Sequence, residues 1–197
     1  QGIFNSTSNY ILSRMAAGES PETALAHARA VGIAEADASL DLQGFDTANK
    51  LVIICNAVLD CPASLEDVDL QGMTSITADD VRIAANDNQV YRLIATAERV
   101  HVGCIMHTQG DQGDIDKTDP VSEVNGTANH QCSCFKLSVR PTLVPVDSFF
   151  GQCVDTDMSV VFVSDEFETI SMKTNEKGVY PTAAAILRDC SSILKAM

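Results

Sequence analysis

The chain predicts an α+β fold, a mixed and largely antiparallel sheet covered by helices. Three observations lead there. Helix-start signals and 3.6-residue periodicity crowd the first part, up to about Asn86. Stretches rich in Val, Ile, Leu and Thr with partial alternation follow between Val90 and Met172. A last amphipathic run opens at Pro181. Helices first and strands later, without the regular alternation that builds a parallel sheet, place helices over antiparallel strands. The 197 residues carry no internal repeat and read as one domain, 1–197.

The first helix is expected over residues 8–17, with Tyr10, Ile11 and Met15 on one side and Gly18 as its stop. Ser20-Pro21-Glu22 gives a second start. It offers a hydroxyl cap, a proline in the first turn and an acid at the positive end of the helix dipole. That helix runs through Leu25 and Ala28 to Val31, and Gly32 closes it. Residues 34–45 read as an acidic loop. A third helix is expected over about 46–59, packing Ala48, Leu51, Val52, Cys55 and Val58. Thr77-Ala78-Asp79-Asp80 starts a fourth in capping-box style.

Residues 90–107, 132–144, 160–163 and 168–172 read as strands, and residues 181–196 as a closing helix. Residues 108–131 are polar, with Gly, Asp and Asn throughout, and read as a long loop or insertion.

Composition narrows the function. The formal charge of −14, from 27 acidic against 13 basic residues, repels phosphate backbones and anionic membrane surfaces, so neither nucleic acid nor a membrane is an expected partner. No apolar run approaches the roughly 20 residues that span a bilayer. Seven cysteines are an odd number, and several sit among apolar neighbours as buried free thiols do. A reducing cytoplasm is the expected setting.

The chemistry-bearing region is residues 32–50. Asp46 and Lys50 stand four apart at a helix start and share a face, which alone describes an exposed ion pair. Glu35, Asp37 and Asp41 add carboxylates within one short segment. Such a group can bind an ammonium and hold a lysine in place. A lysine so held can deliver a proton to a carbonyl oxygen. His101, Cys104, His107, His130, Cys132 and Cys134 are metal-ligand types, but Cys132-Ser133-Cys134 is one residue short of the usual zinc pair, and no metal is expected. Residues 111–119 lack the central Gly and closing Glu of a calcium loop.

Gly2-Ile3-Phe4-Asn5-Ser6-Thr7-Ser8-Asn9-Tyr10-Ile11-Leu12 resembles the segment that opens the catalytic domain of homoserine dehydrogenases. Gly32-Ile33-Ala34-Glu35-Ala36-Asp37, followed by Asp41, Gly44, Asp46, Ala48 and Lys50, is similar to that family's acidic signature in order and spacing. Val139-Arg140-Pro141-Thr142-Leu143-Val144-Pro145 resembles one of its strands, and Gly178-Val179-Tyr180-Pro181-Thr182-Ala183 its closing segment. The resemblance covers nearly the whole chain outside residues 108–131.

The resemblance implies a catalytic and dimer-forming domain for the reversible NAD- or NADP-linked interconversion of L-aspartate 4-semialdehyde and L-homoserine, a step toward threonine and methionine. It implies Lys50 as proton donor, and Glu35, Asp46 and Asp41 as substrate carboxylates, with Glu35 on the ammonium. Gly32 and Gly178 match glycines lying against the nicotinamide cofactor. The 197 residues hold no glycine-rich dinucleotide fingerprint. The expected partners are therefore a nucleotide-binding (Rossmann) domain outside this sequence, the small amino-acid substrate, and a second copy pairing through residues 90–97 and 139–144.

Two departures stand out. Ser6 replaces a family glycine, and Thr174-Asn175-Glu176-Lys177-Gly178 replaces a glycine- and alanine-rich run. They leave open two other readings: a homoserine dehydrogenase-like module that only binds an amino acid or dimerises, and a dehydrogenase of another small amino-acid aldehyde.

Overall fold

The computed structural model describes residues 1–59, 61–100, 135–175 and 180–196. The segment 101–134 lies outside it. With that segment go the expected insertion, the calcium-like stretch and the His/Cys group; Gly178 is outside as well.

Six strands form one sheet in the order β2-β4-β3-β1-β5-β6. The strands are β1 Gly2–Ile3, β2 Val68–Leu70, β3 Gln89–Arg99, β4 Phe135–Pro145, β5 Asp157–Ser164 and β6 Glu168–Asn175. Every pairing is antiparallel except β2 on β4, where Val68 stands beside Leu137. β3 and β4 pair from Gln89↔Pro145 to Arg99↔Phe135, and β5 and β6 from Asp157↔Asn175 to Ser164↔Glu168. The short β1 joins these two ribbons, with Gly2 opposite Ala95 on one side and Val160 on the other. Gly2 has to be glycine, because a Cβ there would lie 2.7 Å from the Ser159 carbonyl oxygen and closer still to the Phe4 ring.

The helices are α1 Ser6–Ala16, α2 Pro21–Ala30, α3 Ser39–Leu42, α4 Phe45–Val58, α5 Ala78–Asn86 and α6 Tyr180–Ala196. α1 packs on α2, α5, β3 and β5, and α4 on β3 and β4. The core between helices and sheet is built from Ile11, Leu12, Leu51, Leu93, Leu137 and Val139, among others. On α2 the Ser20 hydroxyl accepts from the Thr23 N–H, as the sequence predicts. On α5 the Thr77 hydroxyl and Asp80 carboxylate form a reciprocal capping box.

Four features depart from the sequence reading. α1 begins two residues before the expected Ser8, because Asn5 caps it. The acidic loop contains α3. β1 and β2 are strands made by pairing with distant segments, which local patterning does not signal. Val58 is exposed rather than packed, since α4 buries only Thr47, Ala48, Leu51 and Cys55. Cys55 and Cys153 are buried free thiols and Cys190 an exposed one, whereas Cys61 is disulfide-bonded.

Arg92 is 1% exposed, and its guanidinium donates to the carbonyls of Tyr91, Phe150 and Gly151. It ties β3 to the turn before β5. Desolvation lowers its pKa.

Candidate functional site

The site forms where β1 runs into α1, with only Phe4 and Asn5 between the two elements. Asn5 is extended, and its Oδ1 accepts from the Ser8 N–H at 2.7 Å, which caps α1. With Oδ1 turned to that donor, Nδ2 faces α3 and α4. There it donates to Asp41 Oδ1 at 2.7 Å and to Asp46 Oδ2 at 2.8 Å. Asn5 itself is 5% exposed.

Asp46 reaches this point because Gly44, at φ +84°, turns the chain into α4. Lys50 follows one turn later. Its Nζ lies 2.8 Å from Asp46 Oδ2 and donates to the Phe4 carbonyl at 2.9 Å. Behind the α3–α4 link, Gly72 permits a close backbone approach. A Cβ there would meet Gln43 Cα and the Leu42 carbonyl oxygen at 2.6 Å, and the Met73 N–H donates to that same oxygen at 2.8 Å. Thr7 Oγ1 donates to the Ile33 carbonyl at 3.0 Å and so ties α1 to the segment that carries Glu35.

The structure thus brings Asp41, Asp46 and Lys50 into one hydrogen-bonded group. Glu35 stands apart from it, exposed and without a hydrogen bond or ion pair among the described residues. Gly32 lies just past the end of α2 at φ +76°, with open space where a side chain would project. Its conformation alone favours glycine. Sequence reasoning missed Asn5, although an Asn three residues before the N–H it caps is a recognisable helix-start signal.

Two carboxylates face one ammonium, so the group carries a net negative charge when all three are ionised. Partial burial pushes the Asp41 carboxyl above its ordinary value and the neighbouring Asp46 adds to this, while Asn5, Lys50 and Thr7 act the other way. The Asp46 and Lys50 side chains are 34% and 45% exposed. An exposed pair four residues apart contributes only about 0.3–0.5 kcal/mol. Fold stability therefore gives little reason for this arrangement.

Beside Lys50 opens a groove of about 1020 Å³, lined mostly by apolar side chains such as Phe4, Ile53, Met158 and Met172, with Lys50 and Lys173 as its charged members. A lysine held over an apolar groove can give a proton to an oxygen bound there, and a carboxylate pair can hold a cationic group next to it. Among the described residues, no group of three or more His, Cys, Asp or Glu could hold a metal ion, and no helix is long and apolar enough to cross a membrane.

A sequence profile of the family described as homoserine dehydrogenase matches residues 1–190. The chain is 38% identical over 189 residues to the NAD(+)-dependent homoserine dehydrogenase of Pseudomonas canavaninivorans, covering 96% of this chain and 45% of that protein. It is 39% identical over 191 residues to the homoserine dehydrogenase of Methanocaldococcus jannaschii, covering 96% and 46%. The crystal structure of S. aureus homoserine dehydrogenase at pH 8.5 superposes with a TM-score of 0.76 at 23% identity, over 100% of this chain and 42% of that one, a likeness of fold. The chain spans less than half the length of these relatives.

Proposed function

This chain belongs to the homoserine dehydrogenase family, and on that premise we propose that it is the substrate-binding and catalytic part of an NAD(P)-dependent oxidoreductase interconverting L-homoserine and L-aspartate 4-semialdehyde. The observation that carries the reading is the Asp41–Asn5–Asp46–Lys50 group at the edge of the apolar groove.

Lys50 is the proton donor to the aldehyde oxygen. Its anchors on Asp46 and the Phe4 carbonyl use two of its three N–H bonds and leave the third for substrate. The same lysine takes the proton back in the oxidative direction. Asp41 and Asp46 hold the polar end of the amino acid, and Glu35, exposed in the structure, takes its ammonium.

NAD or NADP, when bound, supplies the redox equivalent. The described residues fit a limited share of its binding. The open side of Gly32 leaves room for a flat ring, and the groove gives an apolar wall, but no phosphate cradle is among them. Gly178 is proposed as a second glycine against the cofactor. The phosphates fall to a nucleotide-binding domain outside this sequence. Two observations support such a domain: the share of the relatives' length that this chain spans, and the exposed apolar side chains Ile53, Met172, Leu187 and Leu194 on and beyond the groove.

A homodimer through β3 and β4 and a cytoplasmic setting complete the proposal. Exposed Lys136, Arg140 and Thr142 leave one face of β4 open to a second copy. The free thiols Cys55, Cys153 and Cys190 suit a reducing compartment, whereas the disulfide at Cys61 argues against one.

The test is homoserine-dependent reduction of NAD or NADP by the full-length protein. Turnover establishes the reading. Homoserine binding by calorimetry without turnover replaces it with a non-catalytic amino-acid-binding module. Turnover only with another amino-acid alcohol moves the substrate assignment.

A further inference from the structure

We propose that Asn5 is a positioning residue for the reaction, its carboxamide holding Asp41 and Asp46 together as one substrate-facing pair; the inference rests on the functional reading above.

The orientation of the amide is fixed by its surroundings. Oδ1 accepts from the Ser8 N–H at 2.7 Å, an orphan donor of the first turn of α1. The opposite assignment would set an N–H₂ against an N–H and point Oδ1 at two carboxylates. Both hydrogens of Nδ2 are therefore spent, one on Asp41 at 2.7 Å and one on Asp46 at 2.8 Å. No donor of the side chain is left for a ligand, so Asn5 acts through its neighbours.

The need for such a residue follows from charge. Asp41 comes from α3 and Asp46 from α4, and the turn at Gly44 between the two helices sets the two like charges side by side. Ionised carboxylates at this separation repel each other. The charged and titratable groups facing Asp41 are Asp46 and Lys50, both from α4; Asn5 and the Thr7 hydroxyl face it from the α1 side. Lys50 is committed to Asp46, which leaves Asn5 as the donor shared by both acids. One side chain thereby couples three things: the start of α1, the α3 carboxylate and the carboxylate that anchors Lys50.

Capping and positioning can be separated by substitution. Asn5→Asp keeps an oxygen for the Ser8 N–H, so α1 stays capped, but exchanges two donors for a third negative charge. Asn5→Ser keeps a capping hydroxyl and removes the reach to both acids. The experiment follows the Asp41 carboxyl by NMR in the full-length protein with isotope-labelled aspartates, alongside the pH profile of kcat/KM for homoserine and the thermal midpoint. In both variants the Asp41 titration and the acid limb of kcat/KM are expected to move up by about one pH unit, with kcat/KM at neutral pH falling by on the order of 10-fold.

If one variant fails to fold, the other decides. A folded variant with an unmoved Asp41 titration and an unmoved acid limb overturns the proposal and leaves Asn5 as a helix cap only. Should the wild-type protein not oxidise homoserine, the functional reading fails separately. The Asp41 titration then decides the positioning role: an upward shift sustains it and an unchanged curve ends it.

Discussion

Lys50 donates a hydrogen bond to the backbone carbonyl of Phe4 at 2.9 Å, across 46 residues of sequence. The contact runs from the middle of α4 back to the two-residue link between the central strand and α1. It therefore places the ammonium by the frame of the fold as well as by its helix neighbour Asp46. In its proposed role as proton donor, a lysine so fixed needs little search at the moment of reaction, since part of its side-chain entropy has been lost beforehand.

Lys50→Ala in the full-length protein is expected to lower kcat by on the order of 10²-fold or more, as for loss of a general acid. Lys50→Arg separates charge from proton transfer. Arginine keeps the positive charge and the Asp46 contact but holds its proton too tightly to give it up. Its kcat is expected to fall nearly as far as that of Lys50→Ala, with KM close to wild type. Steady-state kinetics of both variants check this, and wild-type turnover in Lys50→Arg would reduce the lysine to an electrostatic aid.

Glu35 lies outside the hydrogen-bonded group and is exposed, so its proposed work begins only when substrate arrives. Glu35→Gln is expected to raise KM for homoserine by roughly 10-fold with kcat little changed, the pattern of a lost ground-state contact. Unfolding midpoints should not move, because no hydrogen bond or ion pair among the described residues depends on that carboxylate. An unaltered KM would take Glu35 out of the ammonium site.

The difference between Glu35 and Asp41 marks how far the sequence was legible. The helix start fixed the face that Asp46 and Lys50 share, whereas Asp41, in the segment read as a loop, was placed beside them only by the resemblance in motif order and spacing. Caps at Ser20 and Thr77 were readable for the same local reason. Asn5 was not, since its second role depends on α3 and α4 reaching it from 36 and 41 residues away. β1 and β2 escaped notice because two or three residues carry no periodicity, and only their partners make them strands. Nothing local in the sequence marks Arg92 as buried, because the carbonyls of Phe150 and Gly151 that receive its guanidinium lie 58 and 59 residues away.

Asn9 is a second residue whose importance only the fold reveals. It is 1% exposed, and its Nδ2 faces the carbonyls of Cys153, Asp155 and Asp157 at 3.0–3.2 Å, clamping α1 to the turn that leads into β5. Asn9→Ala leaves those buried acceptors without their donor and should destabilise the protein by about 2–4 kcal/mol. Asn9→Asp should be worse at neutral pH, since it aims a carboxylate at three carbonyl oxygens. Urea denaturation of both variants measures the effect, and a loss below about 1 kcal/mol would mean that solvent readily replaces the clamp.

Asp157 gives the same turn a pH dependence. Burial alone would raise its carboxyl, but the Asn175 amide, the Val154 N–H and Lys173 together outweigh burial and hold it below the ordinary aspartate value. A group whose folded pKa is depressed contributes stability above its unfolded value and loses it as pH falls through the folded one. With an unfolded aspartate near about 3.9, the loss begins below roughly pH 5 and continues under pH 4. Asp41, raised by burial, works in the opposite sense and grows less favourable as pH climbs past 4. Asp157→Asn should therefore be less stable than wild type at neutral pH and show a shallower fall of the thermal midpoint between pH 5 and 3. Parallel midpoint curves for the two proteins would place the acid sensitivity elsewhere in the chain.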